Sequence, residues 1–176
     1  MNRLEQFDFT DRGTALTGWL ARPEGALRAA VLVFPTIANV TPAIERRAQM
    51  LADRGYLALI ADFYGKPVAD FAASLPLAEA LRVDVDHYRA RLKANLEALR
   101  QHPAAAGLPI AAIGFCMGGQ AVLELARAGE ELAAVVSFHG LLDTKRPATA
   151  PVHPRILVCH GDRDPMVPRE QVLAFW

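Results

Sequence analysis

Short apolar runs separated by longer helical stretches are the feature that most restricts how this chain can fold. The runs occupy residues 29–34, 57–61, 110–114, 133–138 and 155–160. They do not alternate between apolar and polar residues, which predicts strands buried on both faces. A parallel sheet with helices above and below it buries its strands in this way. The sequence therefore predicts an α/β fold with a mostly parallel sheet flanked by helices on both faces.

Helical patterns fill the intervals between these strands. Thr41 and Pro42 form the cap-then-proline signal of a helix start, and Gly55 supplies the stop of the same helix. The predicted helices span residues 41–54, 77–101, 116–128 and 168–176, and two alternating strands at 5–9 and 16–21 precede the sheet as an antiparallel pair. This order is typical of right-handed crossovers within a single α/β domain.

Composition and charge exclude several classes of protein. Of the 176 residues, 52% are hydrophobic and 22% are charged, which excludes a disordered segment, a collagen-like repeat and a coiled coil. Nineteen Lys and Arg balance nineteen Asp and Glu, so no net charge attracts nucleic acid or an anionic membrane. No window reaches the roughly 18 apolar residues of a membrane helix, and no signal peptide is recognisable. We expect a cytoplasmic protein.

The two cysteines, Cys116 and Cys159, are far apart in the sequence and belong to no C-x-x-C pair. This spacing predicts neither a disulfide scaffold nor a zinc site. We therefore expect no metal and no cofactor, and the local setting of each cysteine becomes the informative feature.

The setting of Cys116 is a strand, a tight turn and a helix, written G-F-C-M-G-G after the apolar run that begins at Ile110. A nucleophile at the apex of such a turn has a strained backbone, and it needs small residues two positions before and two after it. Gly114 and Gly118 occupy these positions. The thiol would project above the sheet at a helix N-terminus, which favours the thiolate. The pattern predicts that Cys116 is a nucleophile.

Two other interpretations of this turn remain open. Cys116 could be a small buried hydrophobic residue, with the glycines serving only close packing. Glycine-rich turns also bind the pyrophosphate of dinucleotides, but G-F-C-M-G-G does not fit G-x-G-x-x-G, and no acidic residue ends the next strand at the expected place.

A nucleophile at this position also requires an oxyanion hole. The loop at residues 34–39 follows a buried strand and can supply the backbone N–H of Ile37, beside the N–H of Met117. The hydroxyl of Thr36 is a further candidate for substrate contact. The alternative for Thr36 is an ordinary turn or a helix-capping threonine.

The acid of a catalytic triad is expected in H-G-D-R-D-P-M-V-P, directly after the last strand. Asp164 is the better candidate because the turn led by Gly161 places it at the loop tip, whereas Asp162 is expected to satisfy the backbone N–H groups of the turn. The alternative for Asp164 is that it caps the helix beginning at Pro168.

Together these motifs resemble the dienelactone hydrolase family of α/β-hydrolases. The segments V-L-V-F-P-T-I-A-N-V, R-G-Y-L-A-L-I-A-D-F-Y-G, A-I-G-F-C-M-G-G and H-G-D-R-D-P-M-V-P occur in the order of the family. Cysteine in place of serine at the turn is the specific mark of this family. The resemblance implies an α/β-hydrolase fold and a Cys-His-Asp triad that contains Cys116 and Asp164. It also implies a metal-independent carboxylic ester hydrolase of the carboxymethylenebutenolidase type, which acts on a small lactone or ester through an acyl-enzyme.

The chain departs from the family pattern in two places. Thr36 stands where the best-known member has a glutamate that contacts the resting thiol. The histidine of the family lies in a loop after one further strand, so we expect it beyond residue 176. Residues 1–176 are accordingly expected to form one domain that is incomplete at its C-terminus and lacks the last strand and helix. His139, which follows a strand in S-F-H-G, is a candidate for substrate contact.

A second class of function also remains open at this point. The chain could be a non-catalytic module that binds a small acyl or carboxylate ligand in the same pocket, because Thr36 and the missing histidine both weaken the case for catalysis. In either case the expected partner is a small molecule, and the expected assembly is a monomer or a homodimer.

Overall fold

The computed structural model describes residues 4–176, which form a seven-stranded sheet flanked by helices. The strands are β1 (Glu5–Asp11), β2 (Thr14–Ala21), β3 (Ala29–Phe34), β4 (Tyr56–Ile60), β5 (Ile110–Phe115), β6 (Ala134–Phe138) and β7 (Arg155–Cys159). Their spatial order is β1-β2-β4-β3-β5-β6-β7. β1, β2 and β4 pair antiparallel, whereas β4, β3, β5, β6 and β7 pair in parallel. The predicted mostly parallel sheet with an antiparallel entry is confirmed.

Helices cover both faces of this sheet. They are α1 (Pro42–Ala52), α2 (Phe71–Val83), α3 (Val85–Gln101), α4 (Met117–Arg127) and α5 (Arg169–Phe175), with a 3₁₀ turn at Pro103–Ala105. The side chains of β3 alternate between two cores: Leu32 and Phe34 pack with α3 and α4, whereas Val31 and Val33 pack with α1. α1 thus covers one face, and the other helices cover the opposite face. Among residues 4–176, no helix has the length and apolar character needed to cross a bilayer.

The single helix predicted at 77–101 is wrong, because two helices occupy this region. Asp84 lies between them in an extended conformation, and its carboxylate accepts hydrogen bonds from two amides of the first turn of α3. α2 begins at Phe71, where Asp70 caps it, and it continues through Pro76. Aspartate favours the N-cap position because its carboxylate satisfies free N–H groups there, and this preference interrupts an otherwise helical pattern.

The prediction that the run at 155–160 is buried on both faces is also wrong. β7 lies at the edge of the sheet and pairs only with β6 within residues 4–176. The side chains of Ile156 and Leu157 are 42% and 56% exposed. An apolar run indicates a strand, but it does not indicate whether the strand lies in the middle of the sheet or at its edge.

The connection between β5 and α4 depends on contact between backbones. A Cβ atom on Gly114 would overlap with the backbone of Gly118, and one on Gly118 would overlap with the carbonyl groups of Phe34 and Pro35. The first turn of α4 therefore lies directly against the ends of β3 and β5. This approach places the helix N-terminus at the carboxyl edge of the sheet, which is where ligands bind in open α/β sheets.

Because the backbones approach so closely at Gly114, we expect even an alanine there to destabilise the protein strongly. Gly114→Ala should lower the free energy of unfolding by about 3 kcal/mol, because the backbone of Gly118 cannot move away as a flexible side chain can. Gly25→Ala is the matched control, since a Cβ there meets nothing within 4 Å. We expect the control to change stability by less than about 0.5 kcal/mol. Urea unfolding followed by circular dichroism measures both, and equal midpoints would contradict the packing described here.

Candidate active site

Cys116 occupies the turn between β5 and α4 and is exposed. Its backbone has φ 56° and ψ −116°, a conformation that non-glycine residues rarely adopt and that costs on the order of 1–3 kcal/mol. The turn is held by a 2.9 Å hydrogen bond from the amide of Cys116 to the carbonyl oxygen of Phe138. The exposed thiol contradicts the alternative that Cys116 is a small buried residue.

The backbone amides of Ile37 and Met117 are the two donors predicted for an oxyanion hole at this turn. Met117 is the first residue of α4, and Ile37 lies in the loop that follows β3. Neither amide donates a hydrogen bond to another residue in the described part of the chain. Two free N–H groups near a nucleophile are the donors that an oxyanion hole requires. Their role as an oxyanion hole stays a prediction.

Two tyrosines contact this pair of residues. The hydroxyl oxygen of Tyr64 lies 3.1 Å from the carbonyl oxygen of Ile37 and 3.6 Å from the sulfur of Met117. The hydroxyl of Tyr88 donates a 3.4 Å hydrogen bond to the carbonyl oxygen of Met117. Burial raises the pKa of both tyrosines, and negative charge at Cys116 raises it further. Both phenols therefore remain protonated at neutral pH.

A buried carboxylate anchors the loop that carries Ile37. Asp62 accepts hydrogen bonds from the side-chain amide of Asn39 at 2.8 Å and from the backbone amides of Thr17, Tyr64 and Gly65. Asn39 also accepts a hydrogen bond from the amide of the residue after Asp62, at 3.2 Å. The loop after β3 is therefore fixed to the segment that follows β4.

Thr36 has a local structural role in this loop. Its hydroxyl oxygen accepts a 3.3 Å hydrogen bond from the amide of Ala38, and its carbonyl oxygen accepts one from the amide of Asn39 at 3.0 Å. These contacts are those of a turn threonine, the alternative that the sequence left open. No hydrogen bond joins Thr36 to Cys116 in residues 4–176. Substrate contact by Thr36 stays a prediction.

Asp164 stabilises the turn after β7. Its carboxylate accepts a 2.9 Å hydrogen bond from the amide of Met166, and its own amide donates to the carbonyl oxygen of Gly161 at 3.0 Å. The prediction that Asp162 would satisfy this turn is wrong, since Asp162 is exposed and Asp164 makes these bonds. Asp164 does not cap α5, because Pro168 occupies its N-cap. Its role as the acid stays a prediction.

The structure does not bring a histidine to Cys116 or Asp164. Within residues 4–176, no hydrogen bond joins a histidine to either side chain. His139 has φ 43°, is exposed, and lines a groove with Phe138 and Cys159 on the α1 face. Substrate contact by His139, for which the sequence makes it a candidate, stays a prediction. In the same range, no three His, Cys, Asp or Glu side chains are arranged to hold a metal ion.

A cavity of about 540 Å³ extends from Ile37 between α2, α3, α4 and the loop after β6. Tyr88 and Gln120 line it beside Ile37, so it opens next to the predicted oxyanion hole. The side-chain oxygen of Gln120 is buried and has no hydrogen-bond partner within residues 4–176. A group of this kind is available to a donor on a bound ligand.

The charged groups of this cavity differ in how they are paired. Glu124 is paired with Arg89 at 2.8 Å and with Arg127 at 2.9 Å. The lining also contains Arg82, which has no carboxylate partner in the described residues and lowers the pKa of the two tyrosines beside it. The remaining charged lining residues are Glu79, Asp143 and Lys145. Arg82 is therefore a cation that a ligand carboxylate can reach.

Both arginines that bind Glu124 also hold the outer wall of the cavity. Arg127 donates to the carbonyl oxygen of Leu142 at 2.5 Å, and Arg89 donates to that of Arg146 at 2.6 Å. Leu142 and Arg146 lie directly before and after the three lining residues of the loop after β6, which are Asp143, Thr144 and Lys145. The loop is therefore attached to α3 and α4 through the buried carboxylate of Glu124.

Sequence analysis assigned no role to Tyr64, Asn39, Asp62 or Gln120. The signal for the first three is the polar segment A-D-F-Y-G directly after a buried strand, since strand ends at the carboxyl edge of a parallel sheet meet in space. Gln120 lies within a helix whose orientation depends on tertiary packing, and no local signal marks it.

Comparisons with known proteins agree with this geometry. Residues 16–175 match the model of the dienelactone hydrolase family. A probable 2-oxo-3-(5-oxofuran-2-ylidene)propanoate lactonase from Bradyrhizobium sp. is 29% identical over 98% of this chain and 74% of its own length. The solved structure of a protein designated m3DLH has a TM-score of 0.90 and 36% identity, over 99% of this chain and 76% of that one.

A second solved structure with a TM-score of 0.90 is a dienelactone hydrolase-like promiscuous phosphotriesterase, P91, from metagenomic libraries. The two sequences are 38% identical, and the match covers 97% of this chain and 73% of the other. The family match spans nearly all of the described residues, and the fold of both solved structures is the mostly parallel α/β sheet observed here. The chain belongs to the dienelactone hydrolase family and has an α/β-hydrolase fold.

Proposed function

We propose that this protein hydrolyses a small lactone or carboxylic ester through a thioester on Cys116. The observation that carries the proposal is an exposed thiol on a strained turn. The backbone amide of the next residue, Met117, is unpaired in the described residues, and so is that of Ile37 in the loop after β3. The family match supports hydrolysis in general. The cysteine mechanism is our inference from the geometry of the turn.

The proposed reaction has two steps. The sulfur of Cys116, as thiolate, attacks the carbonyl carbon, and the amides of Ile37 and Met117 bind the oxygen that becomes negative. The C–O bond to the leaving oxygen then breaks, and that oxygen takes a proton from the conjugate acid of the base. Water attacks the thioester after giving a proton to the base, which releases the acid product and restores the thiolate.

The base of this reaction is proposed to be a histidine that Asp164 orients, as the resemblance to the family implies. Among residues 4–176, neither Asp164 nor Cys116 is hydrogen-bonded to a histidine. The same observation favours a second candidate function, in which the protein binds a small acyl or carboxylate ligand without turning it over. The two functions differ in whether an acyl group is transferred to the thiol.

The cavity favours a substrate that carries a carboxylate. Arg82 lines it without a carboxylate partner in the described residues, close to Tyr64 and Tyr88. The Bradyrhizobium relative is named as a lactonase acting on an oxofuran-bearing propanoate. We infer that a lactone or ester with a carboxylate binds with its carbonyl group at Cys116 and its carboxylate at Arg82.

A burst experiment tests the nucleophile. With excess p-nitrophenyl acetate, the protein should release one equivalent of p-nitrophenolate and gain the mass of one acetyl group on the peptide that contains Cys116. Cys116→Ala should abolish the burst, whereas Cys159→Ala, the matched control at a half-buried strand residue, should retain it. Stopped-flow absorbance and mass spectrometry of the quenched protein measure these results.

The course of the reaction after the burst tests the position of the base. We expect the chain of residues 1–176 to turn over slowly, because deacylation requires a base to activate water. A burst that survives Cys116→Ala would contradict the nucleophile, and its absence in the unmodified protein would favour the binding module. Sustained turnover would instead show that a histidine within the chain serves as the base, and His139 would be examined first.

A substrate panel tests the role of Arg82. Arg82→Met should weaken acylation by carboxylate-bearing lactones and esters about 10- to 100-fold, the range expected for loss of a charged hydrogen bond, while neutral analogues change little. Arg46→Met is the control, since Arg46 is exposed on α1 at the opposite face. The half-saturating concentration of each ester is measured for both variants and for the unmodified protein. An organophosphate triester is included as a neutral substrate. An equal loss for charged and neutral substrates would contradict the assignment.

A further inference from the structure

We propose that Tyr64 is a positioning residue that holds the two sides of the oxyanion hole at a fixed separation. The inference rests on the function proposed above and assigns a role to a side chain that does not itself touch the reacting atoms. Among residues 4–176, Tyr64 is the side chain whose hydroxyl contacts both residues that carry the two amides.

The two amides need such a connection because they come from separate parts of the fold. Ile37 belongs to the loop after β3, and Met117 begins α4. No backbone hydrogen bond joins these two residues in the described part of the chain. Stabilisation of an oxyanion requires both donors within about 0.5 Å of the productive geometry before the reaction starts. A side-chain bridge between the segments supplies this constraint.

The contacts of Tyr64 suit this task. Its hydroxyl donates to the carbonyl oxygen of Ile37 at 3.1 Å, which fixes the peptide that follows Ile37 and limits rotation of the residue that carries the first amide. The same oxygen lies 3.6 Å from the sulfur of Met117, the residue that carries the second. Movement of either segment away from the other would break one of these contacts.

Tyr64 is itself fixed to the anchor of the same loop. The amide of Tyr64 donates to the carboxylate of Asp62 at 2.9 Å, and the same carboxylate binds the side chain of Asn39, two residues after Ile37. The ring of Tyr64 also packs against Phe63, with 5.8 Å between ring centres. One buried carboxylate therefore orients both the tyrosine and the loop that the tyrosine binds.

The protonation of Tyr64 is suited to a permanent donor. Burial raises the pKa of this phenol, and the positive charge of Arg82 offsets only part of the increase. The hydroxyl therefore keeps its proton at neutral pH. It can therefore act as the donor in the 3.1 Å hydrogen bond to the carbonyl oxygen of Ile37.

Tyr64→Phe tests the role, because it removes one oxygen atom and keeps the ring. We expect the rate constant of Cys116 acylation by p-nitrophenyl acetate to fall about 10- to 100-fold, somewhat less than removal of an oxyanion donor itself, with little change in the half-saturating concentration. Alkylation of the same thiol by iodoacetamide forms no oxyanion, so its rate should stay within about twofold. The ratio of the acylation rate to the alkylation rate therefore reports on the oxyanion hole, because a change in thiol reactivity or in folding would alter both rates.

Tyr56→Phe is the matched control, because Tyr56 begins β4 whereas Tyr64 lies in the segment after the end of β4. The guanidinium of Arg28 lies over the ring of Tyr56, 5.5 Å from the ring centre. Tyr56→Phe should leave both rates unchanged. If Tyr64→Phe is acylated at the rate of the unmodified protein, the role of Tyr64 is overturned and the proposed function stands. If the rates of acylation and alkylation fall equally, Tyr64 has a purely structural role and the inference is also overturned. No acylation in the unmodified protein would overturn the proposed function and this inference with it.

Discussion

The contact between the backbones of Gly114 and Gly118 is the constraint on which the rest of the site depends. It brings the first turn of α4 onto the ends of β3 and β5, where any Cβ atom would overlap with a neighbouring carbonyl group. Within this tight turn Cys116 adopts a positive φ, and it is exposed at the carboxyl edge of the sheet. Packing, backbone strain and the position of the candidate nucleophile thus have one physical cause.

A second constraint is the buried carboxylate of Asp62. A buried carboxylate is stable only when hydrogen bonds replace the water that it loses, and Asp62 accepts such bonds from a side-chain amide and from several backbone amides. These donors come from β2, from the loop after β3 and from the segment after β4. The carboxylate therefore fixes three parts of the chain relative to one another, including the loop that carries Ile37.

The parts of the fold that could be predicted from the sequence are those fixed by local patterns. Apolar runs indicated the strands, and the spacing of Gly114 and Gly118 indicated the turn at Cys116. The break at Asp84 was missed because a capping carboxylate interrupts an otherwise helical pattern. The edge position of β7 was missed because a strand pattern carries no information about its neighbours.

Site residues that depend on tertiary packing could not be predicted in the same way. Tyr64 and Gln120 acquire their contacts only when α4 and the loop after β3 are in place. His139 follows a strand in the sequence, but only the folded chain shows that its backbone has a positive φ and that it lines the groove on the α1 face. Asp164 and Asp162 are two residues apart in one turn, and only the folded turn shows which carboxylate accepts its amides.

The central claim is that the amides of Ile37 and Met117 face a carbonyl oxygen attached to Cys116. A crystal structure of the protein acetylated with p-nitrophenyl acetate tests this claim most directly. The account predicts electron density for an acetyl group on the sulfur of Cys116, with its oxygen about 3 Å from both amide nitrogens. An acetyl group on a different residue, or an oxygen directed into solvent away from both amides, would contradict the account.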